Sequence, residues 1–314
     1  MERANKHLIL AKIEAEYGAD PTPTELANAL VTVGKPTFEI VGEPISRQIP
    51  LAYFGSIAPI AVGTALKLNF STELKGSGSL GVAPREGCLF KACNMTEGIS
   101  AGVSVSYTPN SVFEGSSVAL WFWADGNLHK ISGAVGDPKF HFKTREIMKV
   151  DWSFTGLYSG THASNVAFPA PTYAAQAPII FKGAGFVYNS VTTLVITELS
   201  LELGNVIGRR DDANAVTGIA RYFVNDRKAK GNMNPETVAL TTLDPWTLYN
   251  AITQANIAMG PIGAAANRVA VAVTGVTLEP PKYGDRENIL AWDLAFTIDP
   301  TLAAGNNEIV ITFT

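Results

Sequence analysis

The chain has 314 residues, enough for a large core or two domains, and its charged content of 17% lies below the usual quarter. A net charge of −4 argues against a basic nucleic-acid grip, though not against nucleic acid passing nearby without adhering. So few charges on a chain of this size predict that much of the surface is covered by neighbours.

In chain order, the apolar run His7-Leu8-Ile9-Leu10-Ala11 is too short for a signal peptide. Residues 1–36 read as an extended arm, because 14–24 is rich in Pro and Thr. The stretch 49–66 is uncharged and reaches the minimum length of a membrane span. Pro50, Gly55, Pro59 and Gly63 punctuate it, and Pro59 would break a helix, so it reads as an apolar loop before the next strand. That strand alternates Leu66, Leu68 and Phe70 against Lys67, Asn69 and Ser71.

The run Gly76-Ser77-Gly78-Ser79-Leu80-Gly81 lacks the Lys-Ser/Thr of a phosphate loop and is expected to be a hairpin tip. Arg85 to Ala92 reads as a short helix. Val118-Ala119-Leu120-Trp121-Phe122-Trp123 runs into Asp125-Gly126, a hairpin turn signal. Met148, Val150, Trp152 and Phe154 alternate with polar residues in one strand, and Leu290, Trp292, Leu294 and Phe296 do so in another. A second charged loop, 206–217, holds Arg209, Arg210, Asp211 and Asp212, where a local salt-bridge cluster is the simplest reading. Asp244 followed by Pro245 opens a second short helix. The end, Glu308-Ile309-Val310-Ile311-Thr312-Phe313-Thr314, is one more strand.

The same pattern occurs twice. Ser132-Gly133, Pro138 and 147–155 match Thr274-Gly275, Pro280 and 289–297 at one constant spacing. Thr37-Phe38-Glu39-Ile40 matches Ser200-Leu201-Glu202-Leu203. Phe70-Ser71-Thr72-Glu73-Leu74-Lys75 matches Phe223-Val224-Asn225-Asp226-Arg227-Lys228. Repeats this long are duplicated domains rather than solenoid units. The organisation expected is an arm at 1–36, a module at 37–157, a Pro- and Ala-rich linker at 158–185 and a second module at 186–314.

Chemistry-bearing patterns are scarce. Cys88 and Cys93 match no zinc spacing and read as reduced thiols. His7, His129, His141 and His162 are scattered; His129 and His141 could face each other across a hairpin, but a third ligand has no place. Asp151 and Asp293 sit at matching positions of the repeat, which makes a structural role the simpler one. The expectation is therefore a protein with no catalytic residue, no metal and no cofactor.

Two stretches resemble the tail tube proteins of tailed bacteriophages. One runs from Lys12-Ile13-Glu14 through Glu16-Tyr17-Gly18 to Pro21-Thr22-Pro23. The other runs from Asp125-Gly126-Asn127-Leu128-His129-Lys130-Ile131 to Asp137, and on to Phe154-Thr155-Gly156-Leu157-Tyr158. The resemblance implies a mainly β fold, here two tandem copies of an antiparallel tail-tube β-sandwich or barrel module, each with one short helix. It implies stacked rings of six modules whose sheets join into one continuous β-barrel around a lumen, hence three two-module chains per ring with pseudo-sixfold symmetry. The partners it implies are the chain itself, a tape-measure protein, a tail terminator and baseplate or tip proteins. DNA would pass through the lumen without specific binding, and no membrane would be involved. The place implied is the virion tail, assembled in the host cytoplasm.

The residues themselves add a stacking device: Tyr53, Phe54, Ile57 and Ile60 of the apolar stretch for area, and Arg209, Arg210, Asp211 and Asp212 for register. Competing readings are a head–tail connector, a secretion-tube component, or a monomeric β-sandwich, either an enzyme or a carbohydrate- or other ligand-binding protein, with an open aromatic cleft around Trp121 and Trp123.

Overall fold

The computed structural model describes residues 3, 5–50, 52–53, 55–163 and 166–314. Among them the chain is mainly β, with antiparallel pairing throughout. The first half carries β1 (His7–Ile13), β2 (Thr32–Ile45), β3 (Ile60–Glu73), α1 (Gly87–Ala92), β4 (Met95–Ser100), β5 (Ser104–Pro109), β6 (Val118–Ala124), β7 (Asn127–Lys143) and β8 (Lys149–Ala163). Next come β9 (Val187–Tyr188), β10 (Glu198–Glu202), β11 (Asn205–Asp211), β12 (Ile219–Arg227), β13 (Lys230–Met233) and α2 (Pro245–Asn250). The chain ends with β14 (Ala255–Ala264), β15 (Asn267–Leu278), β16 (Lys282–Arg286), β17 (Ile289–Ile298) and β18 (Ile309–Phe313).

Sixteen strands form one sheet, and β11 and β12 form a separate hairpin. The sheet runs β2-β3-β8-β7, crosses to β10-β13-β17-β15-β18, and ends on β5-β4. β6 pairs with β7 and β1, while β14 pairs with β15 and β9. The order β2-β3-β8-β7-β6-β1 thus recurs as β10-β13-β17-β15-β14-β9. A slip in the β6·β7 register between Val118 and Leu120 recurs in β14·β15 between Ala255 and Ile257. The halves join where Phe140 of β7 lies opposite Leu201 of β10.

Alternation explains the strands. Met148, Val150, Trp152 and Phe154 are buried, as are Leu66, Leu68 and Phe70, and Leu199, Leu201 and Leu203. One hydrophobic cluster runs through both halves, from Ile9 to Phe313. Phe90 of α1 sits within it, 4.7 Å from the Tyr107 ring and 5.0 Å from Trp152. Asp244 caps α2, accepting from the Trp246 and Thr247 amides, with Pro245 at the start of the helix.

Several expectations change. The stretch 49–66 is not a loop throughout: Ile60 lies opposite Ile45, so β2 and β3 form a long hairpin whose tip is 46–59. Arg209, Arg210 and Asp211 lie on β11 rather than in a loop. The glycine run 76–81 is no hairpin tip but the connection from β3 towards α1. Leu290 is 52% exposed although Trp292, Leu294 and Phe296 are buried; Trp292 is covered by the Trp246 and Tyr283 rings. Residues His7–Ile13 are extended, as expected of the arm, but they are paired along β6 and deeply buried at Leu8, Ile9, Leu10 and Ala11.

The match of Phe70–Lys75 to Phe223–Lys228 also fails. Lys67, Leu68, Asn69 and Phe70 face Thr155, Phe154, Ser153 and Trp152. Lys230, Gly231, Asn232 and Met233 face Thr297, Phe296, Ala295 and Leu294 in the same way. Hydrogen-bond register therefore aligns Lys67–Phe70 with Lys230–Met233, while Phe223–Arg227 belong to β12, which leaves the main sheet.

Candidate functional site

Two hairpins dominate one side of the molecule, β2–β3 and β11–β12. They flank a cleft of about 540 Å³, with Ala61, Val62 and Thr64 on one wall and Arg209, Asp211 and Val216 on the other. The inner face of β11–β12 packs Ile219 and Tyr222 on Ala65 and Val135. Its charged residues are tied down. Arg209 Nε lies 2.8 Å from Asp211 Oδ1, Arg210 bonds Glu114 at 3.2 Å, and Arg221 bonds Glu114 at 2.8 Å. Asp212 accepts from the Asn214 amide at 2.8 Å.

Of the apolar residues singled out, Tyr53 is 71% and Ile60 47% exposed, while Ile57 is half-buried within its own loop. Phe54 lies outside the described residues. The cleft therefore joins the β3 residues just after the tip of the apolar hairpin to the charged one; Tyr53 and Ile57 do not line it.

The two stretches of sequence that carried the resemblance meet in space. Glu14, though acidic, is buried: Oε1 accepts from the Gly133 amide at 2.7 Å, and Oε2 accepts from Ser117 Oγ at 2.6 Å and the Gly18 amide at 2.9 Å. The Tyr17 hydroxyl accepts from the Tyr222 amide at 2.6 Å, under the Arg221 guanidinium. Burial pushes the Tyr17 phenol up to about 12. Asp20 accepts from Trp121 Nε1 at 3.1 Å and from Lys130 Nζ at 2.9 Å. This cluster fastens the N-terminal segment, the β7 bend at Gly133 and the β11–β12 hairpin together. These residues come from three distant parts of the chain, so their contact carries no local signal in the sequence. Lys130 also sits 3.6 Å above the Trp121 ring and Trp123 is buried, so the tryptophan pair lines no open cleft.

The polar sheet face carries a row of alternating charge. In register across five strands lie Asp151, Lys139, Glu202, Lys230 and Thr297. Lys230 and Glu202 are 3.6 Å apart. Asp151 is partly buried, which raises its pKa, but hydrogen bonds from His141 and Ser71 outweigh this and hold it near 2. Asp293, its counterpart, accepts from Asn232 at 2.8 Å. Both aspartates thus serve cross-strand bonding.

Asp137 sits where the halves meet, accepting from the Asn205 amide at 2.7 Å; burial pushes its carboxyl up to about 7. Cys88 and Cys93 are unpaired and their thiols are raised by burial. His129 and His141 share β7 and so cannot face each other across a hairpin. His129 packs 4.4 Å from Phe38 and His141 bonds Asp151. Among the described residues no three His, Cys, Asp or Glu side chains converge as a metal site. No model of a protein family matches this chain, and no curated protein does.

Proposed function

We propose that this chain is a structural subunit of a phage tail tube, built from two tandem copies of one β module and polymerising as stacked rings. The observation that carries the reading is the recurrence of one six-strand pairing order, with the same register slip, in both halves. Two fused modules are a natural unit for a ring, since heterologous contacts between like modules close on themselves after a fixed number of copies. With six modules per ring, three chains suffice. The long hairpin β2–β3, with exposed Tyr53 and Ile60, supports a stacking contact onto the adjacent ring. The charged hairpin β11–β12 would set its register.

The polar sheet face mixes lysines with carboxylates and so offers no cationic track for phosphate. That suits a lumen through which DNA slides. Tape-measure, terminator and baseplate proteins would be the remaining partners, in a virion tail assembled in the host cytoplasm.

The test is negative-stain microscopy of the concentrated protein with mass measurement in solution. Stacked rings of three chains with six similar lobes are expected. Rings of six chains would overturn the count, and a monomer at every concentration would overturn the tube.

A further inference from the structure

The joint between the two halves supplies a template for the contact between chains. At that joint Leu201 and Leu203 of the β10 segment, and Phe140 and Phe142 of β7, are all fully buried. Pairing with β3 and β13 places Glu39, Phe38 and Thr37 of β2 where Glu202, Leu201 and Ser200 stand in β10. Pairing with β8 and β17 places Lys282, Tyr283 and Gly284 of β16 where Lys139, Phe140 and His141 stand in β7. β16 therefore continues β15 as the second half's version of the far end of β7, after a one-residue slip in register between Leu278 and Lys282.

Among the described residues, β2 pairs only with β3, and β16 only with β17. Positions fully buried at the internal joint are more open at these two edges, although Phe38, the counterpart of Leu201, is half-buried against Phe122 and His129. Ile40, the counterpart of Leu203, is 49% exposed; Tyr283, the counterpart of Phe140, is 58% exposed. Unpaired strand edges of this kind are templates for another strand.

We infer that β16 of one chain pairs antiparallel with β2 of a second copy, in the register of the internal β7·β10 joint: Lys282 opposite Glu39, Tyr283 opposite Phe38 and Gly284 opposite Thr37. This rests on the duplicated-module reading above and names the edges that close the ring. Side-chain chemistry supports the register independently of strand order. Within one chain the row across the joint reads Asp151, Lys139, Glu202, Lys230, Thr297. Across the inferred contact it reads Asp293 and Lys282 from one chain, then Glu39, Lys67 and Thr155 from the next. Residue types are the same at all five positions, so charges alternate without interruption. A slip by one residue would turn Tyr283 to the wrong face and set Lys282 against Phe38.

The backbone accepts this pairing. In the internal joint the Leu203 amide donates to the Pro138 carbonyl, so Leu203, Leu201 and Leu199 direct their polar backbone groups at β7. The corresponding residues of β2 are Ile40, Phe38 and Pro36. Pro36 has no amide hydrogen to offer and lies in the irregularity between Val33 and Thr37, so the pairing runs from Ile40 to Thr37 and stops there. The Glu39–Lys282 and Thr37–Gly284 pairs fall at non-hydrogen-bonded positions, where Cα atoms approach closely enough for a disulfide.

The experiment uses the full chain carrying Glu39→Cys with Lys282→Cys, and separately Thr37→Cys with Gly284→Cys. Mild oxidation of the assembled protein is expected to give a covalent ladder on a non-reducing gel that ends at three chains. Each single variant should give no ladder, and neither should Thr37→Cys with Lys282→Cys, whose diagonal spacing is too wide. Rings or tubes under the microscope without a ladder from either matched pair would overturn the strand pairing and leave the tube reading standing. A protein that stays monomeric at every concentration would overturn both.

Discussion

The phenol ring of Tyr17 lies over the bare Cα of Gly133, where an added Cβ would come within 2.5 Å of Tyr17 Cζ. Gly133 also has φ near +59°, which disfavours any side chain. The ring cannot simply swing away, because its hydroxyl holds the Tyr222 amide. Gly133→Ala is therefore expected to cost about 2–4 kcal/mol in a denaturant melt, from backbone strain and loss of that bond together. Gly126→Ala, where a Cβ meets nothing, is the control and should change stability far less.

Burial holds the carboxyls of Asp137 and Glu86 near 7, well above the ordinary carboxylate range. The folded chain keeps protons that the unfolded chain releases near pH ~4. The stability this gives is complete below that pH and is lost as pH rises through about 7. His7, lowered by burial, acts in the opposite direction below its ordinary value. Asp137→Asn cannot titrate. The fall in stability between pH 5 and 8 should shrink by on the order of 2 kcal/mol relative to the parent chain, read from melts at each pH. An unchanged slope would show that the Asp137 carboxyl is ionised in the folded state throughout.

Tyr53 and Ile60 are exposed on the long hairpin and belong to none of its buried core positions. Tyr53→Ser with Ile60→Ser should leave the circular dichroism spectrum and the melting curve almost unchanged. If the hairpin stacks rings, tube formation should need roughly tenfold higher protein concentration or more, from the lost apolar area at each contact. Tubes at the parent concentration would remove this hairpin from the stacking contact, and a lost β signal would place the two residues in the folding core.

Strand content was legible because the side-chain period of two is written directly in the residues. Val150, Trp152 and Phe154 against Asp151, Ser153 and Thr155 need no tertiary information. The α2 cap was legible for the same local reason, since Asp244 bonds amides two and three residues on. The repeat was legible in part. One constant spacing relates 132–155 to 274–297 in the sequence, but the turns within it differ: 144–148 joins β7 to β8, whereas only 287–288 joins β16 to β17.

Other features were decided only by the tertiary structure, because they depend on which distant strands exchange hydrogen bonds. Residue identity alone matches Phe70 to Phe223, but register makes Met233, opposite Leu294, the equivalent of Phe70 opposite Trp152. The glycine run 76–81 gave no local sign of whether two strands meet beyond it. The Glu14–Tyr17–Gly133–Tyr222 cluster joins the N-terminal segment to residues more than a hundred positions away, and a buried carboxylate becomes visible only when its donors are in place. The row Asp151, Lys139, Glu202, Lys230 likewise exists only across strands: each residue is an ordinary surface charge in sequence, and the sheet alone sets them side by side.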